Sequence, residues 1–205
     1  ATQGLANYLK QAFASLPEIS VVIGHDCRNN SDVFARITAE VFSANGIKVY
    51  LFESLRPTPE VSFAIRELGC QSGVMITASH NPKEYNGYKA YWSDGAQMLA
   101  PHDRNTIIEV NKITRAEDIR FEARPELIHF LGEEFDKHFI ERVASLSAPQ
   151  KESIARHHDM KIVYTPIHGT GVRIIPEALR AIGFTNIINV PEQDIVLSLI
   201  HISEP

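Results

Sequence analysis

The chain has 205 residues, 44% of them hydrophobic and 22% charged, a balance that can bury a real core. A formal net charge of −5 argues against nucleic acid or an anionic membrane as the main partner, though it leaves room for a local basic pocket. The two cysteines, Cys27 and Cys70, are too few for a disulfide framework or a thiolate metal site and read as small buried hydrophobes.

Leu5, Leu9, Ala12 and Phe13 recur at helical spacing before Pro17, so residues 4–16 are predicted to form an amphipathic helix. Ile19–Gly24 is short, β-branched and apolar, as a buried strand is. It empties into the polar loop His25-Asp26-Cys27-Arg28-Asn29-Asn30, after which Ser31 or Asp32 can cap a helix over 32–45. Val33, Phe34, Ile37, Val41 and Phe42 are expected on that helix's buried face. Ile47–Phe52 is a second strand, and Pro57-Thr58-Pro59 starts a helix that runs to Gly69. Gly73–Ile76 is a third strand, Tyr88–Trp92 an antiparallel one after the Asn86-Gly87 turn, and Pro101 opens a helix to about Lys112. Such strand–helix alternation with short connections describes an α/β layer with crossover helices and a mixed sheet.

Residues 113–126 are charged and weakly periodic, whereas Ile128–Leu146 reads as one helix carrying Leu131, Phe135, Phe139 and Val143. Ser147–Ser153 is the best linker candidate. Beyond it a strand (Met160–Tyr164), a turn (Pro166–Gly171), a helix (174–182) and a strand (Ile187–Val190) restart the pattern, as a second domain would. The stretch 195–205 fits neither pattern and is expected to be an aberrant tail. No run approaches the roughly 18 apolar residues of a membrane span, and Ala1-Thr2-Gln3-Gly4 has no signal-peptide character. An earlier natural start is expected, because the first residue is not methionine. The expected setting is cytoplasmic.

The chemistry concentrates on Thr77-Ala78-Ser79-His80-Asn81-Pro82, which follows an apolar strand and returns through Asn86-Gly87 to Lys89. Ligand chemistry in open α/β sheets sits at such carboxyl ends. A serine in a loop is by itself an ordinary turn residue, and Lys89 by itself a solvated amine. Together with His80 and Arg28 they supply the cations that a phosphorylated hydroxyl, at about −1.5 to −2 charges, requires. Arg28 has two readings, pairing with Asp26 or Asp32, or holding phosphate with its planar fork. Gly169-Thr170-Gly171 lacks the lysine and spacing of a nucleotide loop and reads as a structural turn. His157-His158-Asp159 has no companion ligands at metal-binding spacing. No Gly-x-Ser-x-Gly elbow surrounds Ser79, which weakens a serine-hydrolase reading.

Thr77–Pro82, with Lys89 following Asn86-Gly87-Tyr88, resembles the phosphoserine loop of the α-D-phosphohexomutases, the phosphoglucomutase and phosphomannomutase family. Gly24-His25-Asp26-Cys27-Arg28 is similar to that family's Gly-x-Asp-x-Arg loop, Pro57-Thr58-Pro59 to its Pro-Thr-Pro turn, and Tyr164–Gly171 to the start of its second domain. Tyr91–Met98 with Pro101-His102-Asp103 looks most like the phosphoglucomutase and phosphopentomutase branch. The resemblance covers about residues 5–194 and implies an amino-terminal fragment. Residues 1–147 would be the three-layer, mixed-sheet phosphoserine domain without its extreme amino terminus, and 148–194 a truncated second α/β domain.

The same resemblance implies interconversion of hexose 1-phosphate and hexose 6-phosphate, glucose favoured, through a phosphoserine at Ser79 and a bisphosphorylated sugar. His80 and Lys89 would serve proton transfer or charge stabilisation, and Arg28 phosphate contact. A lysine near pKa ~10.4 must be shifted down to act as a base, whereas a histidine near ~6.5 need not be. Mg2+ would bind at Ser79, its remaining ligands falling outside the chain, and glucose 1,6-bisphosphate would be the activator. The family's amino-terminal Gly-Thr-Ser-Gly-Leu-Arg-Gly-like segment, its Asp-Gly-Asp-x-Asp-Arg metal loop and its later sugar-selecting and phosphate-binding loops have no counterpart here. The fragment is therefore expected to be inactive alone. The alternatives are a non-catalytic sugar-phosphate-binding module, or phosphomannomutase or phosphopentomutase specificity. Nothing in the sequence speaks to oligomeric state.

Overall fold

The computed structural model describes residues 1–146 and 151–194. Within it the chain divides into two compact units: residues 1–26, 30–78 and 86–131 form the first, and 27–29, 79–85 and the described residues from Gly132 onward form the second.

The first unit is built on a five-stranded sheet of order β4-β3-β1-β2-β5. Its strands are β1 (Ser20–His25), β2 (Lys48–Phe52), β3 (Ser72–Ile76), β4 (Tyr88–Trp92) and β5 (Ile128–Leu131). β1 is parallel to β2 and β3, β2 is parallel to β5, and β4 alone runs antiparallel, against β3. The central strands β1 and β3 are buried along their whole length, which is why both read as continuous apolar runs instead of alternating ones.

On one face Val21, Ile23, Val49, Leu51, Val74 and Ile76 pack with Leu5 and Leu9 of α1 (Thr2–Ala12) and with Ala35, Ala39 and Phe42 of α2 (Ser31–Ala44). The opposite face rests on α3 (Thr58–Glu67), where Gly24 and Gly73 leave just enough room for Val61 and Ile65. α4 (His102–Asn111) packs beside α1. The result is the expected three-layer α/β arrangement with a mixed sheet.

Three local expectations are corrected. Residues 128–146 are not one helix: Ile128–Leu131 pairs in parallel with β2, and α5 (Glu133–Leu146) starts after Gly132. Four apolar or aromatic residues satisfy either period, and here the open edge of β2 claimed them. On α2, Val41 and Phe42 are buried as expected but Val33, Phe34 and Ile37 are exposed, and Ala35, Thr38 and Ala39 take their place on the core side. The cap of α2 is Asn30 in the left-handed conformation (φ 62°), without a side-chain capping bond, because the Ser31 hydroxyl is used elsewhere.

In the second unit α5, α6 (Lys151–Arg156), β6 (Ile162–Tyr164), α7 (Ile174–Ile182), β7 (Ile187–Asn189) and α8 (Pro191–Asp194) follow in order, with β6 and β7 parallel. Ile140 of α5 packs with Ile174 and Ala178 of α7. Arg173 bridges the same helices, lying 2.6 Å from Glu133, 3.5 Å from the buried Asp136 and 3.7 Å from Glu177. Burial opposes its charge, but the three carboxylates outweigh that and raise its pKa. Of the expected linker, 147–150 lies outside the described residues and Lys151–Ser153 begins α6. The stretch 195–205 also lies outside them. Among the described residues no helix is long and apolar enough to cross a membrane.

Candidate active site

The first unit holds a buried polar network at the carboxyl ends of β1 and β3. His25 and Ile76 are partners in register, so Asp26 and Thr77 leave adjacent strands side by side. Asp26, 4% exposed, accepts from the Ser31 hydroxyl through Oδ1 (2.7 Å) and from the Thr77 hydroxyl through Oδ2 (2.6 Å). Asn86 Nδ2 donates to Ser31 Oγ (2.9 Å), and the Gly87 amide donates to Asn86 Oδ1 (2.9 Å). Residues 77 and 86–87, between which the segment 79–85 leaves and returns, are thus fixed through one carboxylate. Hydrogen bonds to an ionised carboxylate are the stronger kind, and each is worth about 1.5–3 kcal/mol.

The backbone closes the same gate: the Thr77 amide donates to Gly87 O at 3.0 Å. A Cβ on Gly87 would stand 2.6 Å from Thr77 O, so only glycine allows that approach. The Arg56 amide donates to His25 O (3.1 Å), and its buried guanidinium reaches Ser54 Oγ (2.6 Å) and Leu55 O (2.9 Å) and lies 4.0 Å from the buried Glu60. Lys89 sits on β4 opposite Met75, half-buried.

In the second unit Ser79 and His80 are exposed, and Ser79 has a left-handed backbone (φ 58°). For a residue with a Cβ that conformation costs about 1–2 kcal/mol, so surrounding contacts must hold it. Arg28 supplies such a contact. It is 4% exposed, its Nη2 donates to Ser79 O, and its Nη1 donates to Asn81 O, to Pro82 O (2.8 Å) and to Tyr85 O (3.3 Å). The Tyr85 amide donates to Pro82 O (2.9 Å) and the Asn29 amide to Lys83 O (3.3 Å). Cys27, next to Arg28, donates its thiol hydrogen to His168 O (3.2 Å). Both Ile167 and His168 have positive φ, and the turn containing Gly169 is tied by Tyr164 OH donating to Gly171 O (3.0 Å).

The structure therefore joins Arg28 directly to Ser79, with His80 in the same segment, while Lys89 belongs to the first unit. Sequence reading did not find Asp26, Thr77, Ser31 and Asn86 as a network, nor Arg56 beneath His25. The available signal was topological: Asp26 and Thr77 each end a buried strand, and neighbouring strand ends meet.

The family model for phosphoglucomutase/phosphomannomutase, alpha/beta/alpha domain I, matches residues 1–120. The chain belongs to this family. Among relatives of this mutase-family chain, a phosphoglucomutase from Staphylococcus haemolyticus is 40% identical over 192 residues, covering 90% of the chain and 33% of that protein. A human phosphopentomutase is 34% identical over 203 residues, covering 94% of the chain and 33% of that protein. A solved phosphoglucomutase/phosphomannomutase family protein from Burkholderia thailandensis superposes with a TM-score of 0.66 at 19% identity, covering 97% of this chain and 41% of that one, and supports the fold. The chain spans about a third of the length of these curated relatives.

Proposed function

We propose that Ser79 carries the phosphoryl group of a sugar-phosphate mutase that interconverts hexose 1-phosphate and hexose 6-phosphate. The observation that supports it most is an exposed serine, held in a left-handed conformation at the end of a buried strand, within a chain of this family. In the first transfer the Ser79 Oγ–P bond breaks, a sugar hydroxyl oxygen bonds to phosphorus, and the hydroxyl proton passes to a base. The bisphosphate then presents its other ester; that O–P bond breaks, Ser79 Oγ is rephosphorylated, and the released sugar oxygen takes up a proton. Lys89 and His80 are the proposed proton carriers or charge stabilisers. Glucose 1,6-bisphosphate is the proposed activator, because it phosphorylates Ser79 directly.

Phosphoryl transfer needs in-line placement and charge neutralisation, which Mg2+ would supply when bound. Among the described residues no group of three or more His, Cys, Asp or Glu is disposed to hold a metal ion. With Ser79 alone the described residues do not make a magnesium site. Glucose phosphate is the proposed substrate because Tyr91–Met98 with Pro101-His102-Asp103 resembles the phosphoglucomutase and phosphopentomutase branch; identity does not choose between hexose and pentose, since relatives named phosphoglucomutase and probable phosphoribomutase are both 40% identical.

The test is incubation of the full-length protein with glucose 1,6-bisphosphate, followed by intact mass. A single phosphate adduct that disappears in Ser79→Ala is expected; no adduct, or one that survives the substitution, refutes the assignment. Parallel assays with glucose 1-phosphate and ribose 1-phosphate decide the sugar. The 205-residue chain alone is expected to give no mutase turnover.

A further inference from the structure

We infer that Arg28 is an internal cation that moulds the Ser79 segment, a positioning residue and not a ligand of the transferred phosphate. The inference rests on Ser79 as phosphate carrier. A buried guanidinium is costly unless its hydrogens find acceptors, and here the acceptors include four backbone carbonyls of one segment, Ser79, Asn81, Pro82 and Tyr85. Both terminal nitrogens are turned toward those oxygens. An anion placed among the same oxygens would be repelled, so this end of Arg28 is poorly suited to hold phosphate. An arginine that reads phosphate offers its fork to the ligand.

The carbonyl direction has a second consequence. The peptide unit is planar and trans, so a carbonyl turned toward Arg28 turns the next N–H away from it. The carbonyls of Ser79 and Pro82 face Arg28, which sends the amides of His80 and Lys83 to the opposite side of the segment. Amides displayed together on one side of a loop attract anions. Arg28 thereby creates an electropositive backbone edge beside the exposed Ser79 without touching the phosphate itself, and it stabilises the left-handed backbone that Ser79 adopts.

Two measurements test this, one of them independent of activity. Hydrogen exchange on the 205-residue chain reads the Tyr85 and Asn29 amides, which close the segment. Arg28→Ala is expected to speed their exchange at least tenfold, and Arg28→Lys to do so by less, since an ammonium lacks the planar fork. In the full-length protein, Ser79 phosphorylation by glucose 1,6-bisphosphate should slow at least tenfold at saturation in Arg28→Ala, with an unchanged half-saturating concentration. Unchanged exchange in Arg28→Lys overturns the inference, as does a raised half-saturating concentration with an unchanged maximal rate. Arg28→Lys keeps the buried cation and decides the matter if Arg28→Ala loses its native circular dichroism. A wild-type protein that forms no adduct refutes Ser79 as carrier, while the exchange result still decides what Arg28 does to the segment.

Discussion

Asp26 is the residue whose loss should disturb the Ser79 region most for the fewest atoms removed. Its carboxylate is 4% exposed and accepts from Thr77 at 2.6 Å and Ser31 at 2.7 Å, and Ser31 in turn accepts from Asn86 at 2.9 Å. Asp26→Ala removes two charge-assisted bonds and strands two hydroxyls, a loss of about 3–6 kcal/mol at about 1.5–3 kcal/mol each. Asp26→Asn keeps the shape, but its amide nitrogen now faces a hydroxyl that was donating, and a loss of about 1–2 kcal/mol is expected. In a domain of this size each kcal/mol lowers Tm by about 2–4 °C. Urea denaturation of Asp26→Asn, Thr77→Val and the double variant forms a cycle. A coupling energy of about 1–2 kcal/mol is expected, because groups sharing a buried network do not act independently. Effects that add to within about 0.5 kcal/mol would refute the network, since that is how distant, independent sites behave.

Gly87→Ala should cost about 1–3 kcal/mol, because its Cβ would sit 2.6 Å from the Thr77 carbonyl and overpacking is rarely relieved against backbone; melting unchanged from wild type would contradict that close approach. Burial raises the pKa of the Cys70 thiol, whereas Cys27 is only partly buried, so a thiol reagent should label Cys27 at least tenfold faster, a phase lost in Cys27→Ser. Equal labelling of both cysteines would show that burial does not govern their reactivity. Burial pushes the Tyr88 phenol above its usual range, an effect that Thr2 only partly offsets. As pH rises past about 10 the unfolded chain loses a proton that the folded chain keeps, so stability falls with pH. Tyr88→Phe should flatten that slope in denaturation measured across alkaline pH, and an identical slope would count against the burial argument.

The sheet was legible because its signals are local: β1, β3 and the Pro-Thr-Pro helix start announce themselves in residue type and turn chemistry. Where two periods fit equally, local signals could not decide. Ile128–Leu131 became β5 because β2 had an open edge, a fact about the assembled sheet and not about those four residues. The exposed Phe34 and Ile37 misled for a related reason: in α2 the buried stripe is set by how closely Ala35 and Ala39 let the helix approach the sheet.

Ser79 stood out in the sequence because its neighbours are chemically unusual, but what holds it did not. Arg28 binds backbone carbonyls, which every residue possesses, so no pattern of side chains can name its partners. Asp26 and Thr77 meet only because β1 and β3, far apart in sequence, lie side by side. The proposed phosphate carrier is picked out in the sequence by a motif that resembles the family's, whereas the backbone around it depends on the Arg28 contacts and on the register of two parallel strands. A site transplanted by motif alone, with Ser79 and His80 but without Asp26, Arg28 and Gly87 in this register, should present its serine in no fixed backbone conformation.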